Sequence, residues 1–232
     1  MDKIIEQNNH HGYSNPDLAK GLSDLATQRY GIDNVSKMFD ELASTWLRQT
    51  VIVTPKNNFN LREIEFYLYD KDLHPDTYAH KNKRQSEFGE WYFHRFTDIE
   101  PFLKSNRNGL DITFGNKEKG IYGGILIRKI ENVETKELIV GINKVARELI
   151  ENIGRENVKN IALGTGQLAF DKEQLLHLKV GNPNFSKAIY KTQRYGLTFK
   201  NEETANQYYK AQYCYYNHDL NITSIIEVRS GI

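Results

Sequence analysis

Within residues 62–69, Arg-Glu-Ile-Glu-Phe-Tyr-Leu-Tyr, two carboxylates and two phenols occupy alternate positions, with three apolar residues between them. A strand sends successive side chains to opposite faces, so Ile64, Phe66 and Leu68 share the face that seeks a core, and Glu63, Glu65, Tyr67 and Tyr69 share the other. Two steps along a strand cover about 6.6 Å, which sets the Glu65 carboxylate beside the Tyr67 ring. A carboxylate next to an aromatic plane is a floor for a pocket that grips a flat ring. An exposed sheet face carries the same residue types by default, so this pattern alone leaves both readings open.

Such a strand needs partners on both edges and a cover on its apolar face, and the flanking sequence predicts them. Asn15-Pro16 opens a helix that Gly31 ends, and residues 34–48 form a second, with Met38, Leu42, Ala43 and Trp46 as an apolar stripe of the kind that packs a core. A strand over Thr50–Thr54 joins the Glu65 strand through the turn-forming segment PKNNFN. Further β runs are expected at Trp91–Phe96, Leu110–Phe114 and Ile121–Val133. A helix is predicted at about 140–153, closed by Gly154, and the turn Leu163-Gly164-Thr165-Gly166 leads into a short helix carrying Leu168, Phe170, Leu175 and Leu176. From Ala188 to Tyr216 aromatic strands alternate with a helix near 202–209. Short turns between consecutive strands imply antiparallel pairing. The expected fold is therefore α+β: a helical N-terminal extension over 1–33, then one domain over 34–232 with a curved, mostly antiparallel sheet flanked by helices.

Composition narrows the class of function. With 232 residues, 39% hydrophobic and 26% charged, the chain can bury one sizeable core. No apolar run approaches a bilayer span, and the start MDKIIEQNNHHGYS lacks the pattern of a signal peptide. Cys214 is the single cysteine and sits in the aromatic run YYKAQYCYY, so the expectation is a reducing, cytoplasmic setting and no nucleophilic thiol. The histidines His10, His11 and His218 have no metal-ligand spacing, and neither a metal nor another cofactor is expected. A formal net charge of +1 gives no global case for nucleic acid, so any such case must be local. Two acid-free segments supply one: Lys81, Lys83 and Arg84, and Lys187, Lys191, Arg194 and Lys200 within residues 181–200. Such segments are solvated faces, phosphate-tracking surfaces or holders of a free nucleotide's phosphates.

The ordered series LASTWLRQTVIVTPKNNFNLREIEFYL, GEWYFHRF, GGILIRKIE, LGTGQLAF and TQRYGL resembles the alkyladenine (3-methylpurine) DNA glycosylases from about residue 38 to 215. Glu63, Glu65 and Tyr67 fall on that family's Glu-x-Glu-x-Tyr signature, and Ala79-His80 on its following histidine. No single motif is specific, and their order carries the resemblance. It implies a monofunctional DNA glycosylase that flips a modified base from the helix and hydrolyses its N-glycosidic bond. Such chemistry needs a carboxylate near the sugar C1′ to activate water and to stabilise positive charge, and aromatic walls for the base. The resemblance assigns Glu65 as the base, Tyr67 and His94 as the walls, and His80 as a hydrogen-bonding contact. Glu63 would be structural.

Each assignment has a rival. His74 competes with His80 under a different alignment of the loop, and His94 alternatively packs in a core with Tyr92 and Phe96. Arg128 either lines the site or pairs with Glu131. Gly164 and Gly166 either admit a phosphate or make an ordinary turn. The family's intercalating hairpin is replaced by Thr97–Asn108, where Phe102 or Leu103 is the candidate wedge. Asp111 is the nearest match to the family's pocket asparagine, and a carboxylate there would alter base preference. The expected partner is DNA, duplex or single-stranded, bound by a monomer through Lys81, Lys83, Arg84, Lys187, Lys191 and Arg194. The alternatives are an N-glycoside hydrolase of free nucleosides or nucleotides, and a non-catalytic nucleic-acid-binding module.

Overall fold

The computed structural model describes residues 15–28, 30–164, 166, 168–182, 187–200 and 203–218. His10, His11 and the remainder of residues 1–14 lie outside the described residues, as do Thr165, Gln167 and the side chain of His218. Two helices, α1 (Asn15–Gln28) and α2 (Ile32–Gln49), precede β1 (Thr50–Val53), β2 (Asn58–Asp70), the short β3 (His74–Pro75) and β4 (Phe88–Phe93). Next come α3 (Ile99–Lys104), β5 (Leu110–Phe114), β6 (Tyr122–Asn132), β7 (Leu138–Val140), α4 (Ile142–Ile153) and α5 (Arg155–Leu163). The chain closes with β8 (His177–Val180), β9 (Ala188–Thr192), α6 (Glu203–Lys210) and β10 (Cys214–His218).

All described strand pairs are antiparallel, and the main path runs β4-β5-β6-β2-β1-β8. The long β2 organises the sheet. One of its edges pairs with β6 along nearly its whole length, and the other is taken successively by β1, β10 and β3. Its core face changes parity along the way: Phe59 and Leu61 are enclosed, then Ile64, Phe66 and Leu68. A register shift between Leu61 and Ile64 adds the residue that makes this possible and turns the strand. Beyond the shift, Glu65 and Tyr67 stand opposite the core residues, as the alternation predicts.

Helix α2 covers the apolar face with Val35, Phe39, Leu42, Ala43, Trp46 and Leu47. The Phe39 ring stacks on Phe66 at 4.4 Å between centroids. Leu18, Leu22 and Leu25 of α1 are enclosed in this same core, so α1 belongs to the domain and is not an appendage to it. Helix α4 lies against β5, β6 and β7 through Val145, Ala146, Leu149, Ile150 and Ile153.

The helix expected at Leu168–Leu176 is absent. The Ala169 amide bonds to Gly89, and the Leu178 amide to Ala169 at 2.6 Å, so strand-like pairing with β4 takes the hydrogen bonds a helix would use. Leu168 and Leu175 stay exposed while Leu176 is enclosed in the core and Phe170 packs against it, so the four residues do not share one helical face. Thr97–Asn108 contains α3, begun by the Asp98 side chain accepting from the Ile99 amide. No described helix is long and apolar enough to cross a membrane.

Candidate functional site

A pocket of about 320 Å³ opens at the polar face of β2, β5 and β6. Its lining includes Tyr67, His80, His94, Asp111 and Arg128, all five of the side chains expected to contact substrate. Two of the walls depend on glycine. A Cβ on Gly109 would approach the His94 ring to 2.8 Å, and one on Gly124 would approach Asp111 Oδ2 to 2.6 Å. Both positions therefore exclude larger residues for the sake of the site.

Glu65 lies directly behind this lining and is fully enclosed. Its Oε1 accepts the Tyr195 amide at 2.8 Å, and its Oε2 accepts the Tyr67 hydroxyl at 2.9 Å and lies 3.3 Å from Arg128 Nη1. Burial pushes its carboxyl above the ordinary value of 4.5, against the opposing pull of Arg128, the Tyr195 amide and Tyr67. Burial and the Glu65 charge together push the Tyr67 phenol well up, so it remains a donor. Glu63 is paired with two cations, Arg128 Nε at 3.2 Å and Lys129 Nζ at 3.0 Å. Arg128 thus pairs with Glu63 and Glu65 while lining the pocket, and Glu131 instead takes Arg62 and Lys187.

A second hydrogen-bonded group forms the opposite wall. His94 Nε2 is 2.7 Å from Asp111 Oδ1, and Gln85 Nε2 donates to Asp111 Oδ2 at 2.9 Å. Gln85 is itself fixed by accepting the Asn82 amide at the start of a 3-10 turn over Lys83–Ser86. His80 meets the His94 ring edge-on at 4.8 Å, and desolvation followed by the neighbouring His94 lowers its pKa from the ordinary histidine value. Its rival His74 is excluded from the pocket: it is buried between Leu68 O and the Tyr213 hydroxyl and packs on Tyr208.

The expected phosphate-tracking surface is largely corrected. Arg194 is fully enclosed, paired with Asp76 at 2.6 Å, and its guanidinium lies 4.5 Å from the Tyr67 ring centroid, so it supports the pocket from behind and cannot meet DNA. Lys191 pairs with Asp40 at 2.9 Å and Lys187 with Glu131 at 3.6 Å. Arg84 pairs with Glu90 at 3.0 Å and donates to Gly164 O. The segments are free of acids locally, but α2, β4, β6 and the loop after β3 bring acids to them. Lys81 and Lys83 do remain exposed, Lys81 lying over the Tyr69 ring at 4.5 Å.

The wedge candidates are corrected too. Phe102 is enclosed by Phe93 and Phe96 at ring distances of 5.8 and 5.4 Å, and Leu103 packs against the core. Gly164 and Gly166 follow a helix instead of starting one, and the Gly166 amide already bonds a protein carboxylate, Glu90, at 3.0 Å. Cys214 is buried, with its thiol pushed well up by burial and by Glu65 and Glu63, in keeping with an unreactive side chain.

Tyr78, Arg95, Asn106, Arg107, Tyr195 and Leu197 also line the pocket and were not read as site residues. Tyr195 lay inside the quoted TQRYGL and Arg95 directly after His94, but neither spacing nor periodicity marks a loop residue. No protein-family model matches this chain. The chain is similar to uncharacterized protein L759 of Acanthamoeba polyphaga mimivirus, at 29% identity over 187 residues that cover 76% of this chain and 86% of that protein.

Proposed function

We propose that this protein is an N-glycosylase that receives one everted, modified base of DNA in the pocket and hydrolyses its N-glycosidic bond. The observation that carries this reading is convergence: Tyr67, His80, His94, Asp111 and Arg128, distant in sequence, line a single pocket with the Glu65 carboxylate one hydrogen bond behind it. A volume of about 320 Å³ is at the small end of ligand sites and suits one nucleoside unit. Tyr67 and the His94 wall would hold the base, and the Asp111–His94 pair would face its polar edge. The entering nucleotide has to draw Arg128 or the Tyr67 hydroxyl off Glu65, since all three are closed on one another in the free protein. Glu65 then takes a proton from water as that water adds to C1′. The C1′–N electron pair leaves with the base, which takes up a proton from solvent, and Glu65 releases the proton it took from water to solvent, so one water is consumed and the carboxylate is restored.

The enclosure of Phe102 and the pairing of Arg84, Lys187, Lys191 and Arg194 favour a second reading, hydrolysis of a free nucleoside or nucleotide. Base release from an alkylated duplex, an alkylated single strand and the matching free nucleotide separates the two. Release from the polymers is the expected result. Release from the free nucleotide alone would refute the DNA reading, and release from none would refute both.

A further inference from the structure

Among the described arginines, Arg95 and Arg107 stand apart. Arg62, Arg84, Arg128, Arg155 and Arg194 are held by carboxylates, Arg147 donates to Leu103 O, and Arg48 is engaged through Ser44. The guanidinium groups of Arg95 and Arg107 have no hydrogen-bond or carboxylate partner among the described residues, and both are exposed at the mouth of the same pocket. They reach it from different loops. Arg95 follows β4 and Arg107 follows α3, and the backbone of each loop is fixed by specific contacts. The His94 amide bonds to Gly109 O at 2.9 Å, and Phe96 N to Phe93 O at 3.2 Å. The Asn108 amide donates to Asn143 Oδ1 at 2.7 Å, and Asn108 Nδ2 to Phe102 O.

The backbone at Arg95 is also strained toward this placement. Its φ is +56°, in the left-handed region that an L side chain seldom enters. Deeper in the pocket Arg128 is already paired with Glu65 and Glu63, and Asp111 already accepts from Gln85 and is bonded to His94. At the mouth two guanidinium forks present donors to whatever the pocket's occupant leaves outside.

We infer that Arg95 and Arg107 clamp a phosphate ester attached to the sugar of the nucleoside held in the pocket. The inference rests on the nucleoside reading of that pocket, but its test needs no catalysis. Two sources share this chemistry: the internal phosphodiester of a strand and the terminal phosphate of a mononucleotide. Binding to the full chain carrying Glu65→Gln is measured for alkylated deoxyadenosine, its 5′-monophosphate, and a single-stranded oligonucleotide containing one such residue. One phosphorylated probe is expected to bind roughly tenfold or more tighter than the nucleoside. Adding Arg95→Ala and Arg107→Ala should erase that advantage, lowering the affinity for the phosphorylated probe to that for the nucleoside measured in the same variant. Loss of the advantage only for the oligonucleotide identifies the phosphodiester as the ligand, and loss for the monophosphate identifies the terminal phosphate. An advantage that survives both replacements, or phosphorylated probes that bind no tighter than the nucleoside, overturns the clamp. Base release by the unmutated chain in the same preparations is scored separately, so a failed glycosylase reading is distinguishable from a failed clamp. Arg95→Gly is the control for strain: it should lower phosphate-dependent binding while raising the melting temperature.

Discussion

The Glu65 carboxylate is held by three donors and still binds its proton more tightly than an exposed glutamate, because complete enclosure outweighs them. A general base works only when ionised, so this has a kinetic consequence. The acid limb of the kcat/KM profile should lie above the ordinary carboxylate value of 4.5, with the rate falling as pH drops through it. A limb at or below that value would mean that a different, better solvated carboxylate is the base. At this scale much of the site was legible. The alternation over residues 62–69 separated Glu65 and Tyr67 from the core side chains, and the family resemblance added His80, His94, Asp111 and Arg128. Arg95 and Arg107 were not legible, because an arginine in a loop has no periodicity and its freedom from acids is settled only by what folds around it. The same reason misassigned Arg194, whose partner Asp76 is far from it in sequence.

β2 and the segments that support it show which interactions hold the pocket open. Phe59 and Leu61, then Ile64, Phe66 and Leu68, face one core across a shift in register, and sequence alternation reveals the second set without revealing the shift. The polar face beyond the shift rests on Arg194, which pairs with Asp76, donates to Phe66 O at 3.2 Å and to Tyr208 O at 3.0 Å, and lies against the Tyr67 ring. Breaking a buried ion pair from one side leaves a charge without compensation, a loss of about 3–5 kcal/mol. Arg194→Ala is accordingly expected to lower unfolding stability by about that amount in urea denaturation. A change below about 1 kcal/mol would show that Asp76 finds water or another donor. The helices α2 and α4 were readable from their apolar stripes and stop signals. The segment around Leu168–Leu176 was not, since its leucines look helical while the Ala169 amide donates to Gly89 of β4 and the Ala169 carbonyl accepts from Leu178 of β8.

Across the whole molecule, an antiparallel sheet covered by helices brings residues from β2, the loop after β3, β4, β5 and β6 to one hollow. The α+β class and the antiparallel pairing were legible because consecutive β runs are separated by short turns. The seating of α1 in the core was not, because Leu18, Leu22 and Leu25 announce an amphipathic helix without saying what it covers. Charge behaves the same way at this scale: in a chain of net charge +1, five of the described arginines, Arg62, Arg84, Arg128, Arg155 and Arg194, are held by carboxylates, and among the described residues Arg95 and Arg107 at the pocket mouth have no such partner. The central claim is that the hollow exists to bring a water molecule, activated by Glu65, to a nucleoside's C1′. Its most direct test is the single-turnover rate of base release from alkylated DNA by the unmutated chain and by Glu65→Gln, with DNA binding measured in parallel. Release should fall by roughly 10²-fold or more in the variant while binding is retained. An unchanged release rate with intact binding would contradict the account.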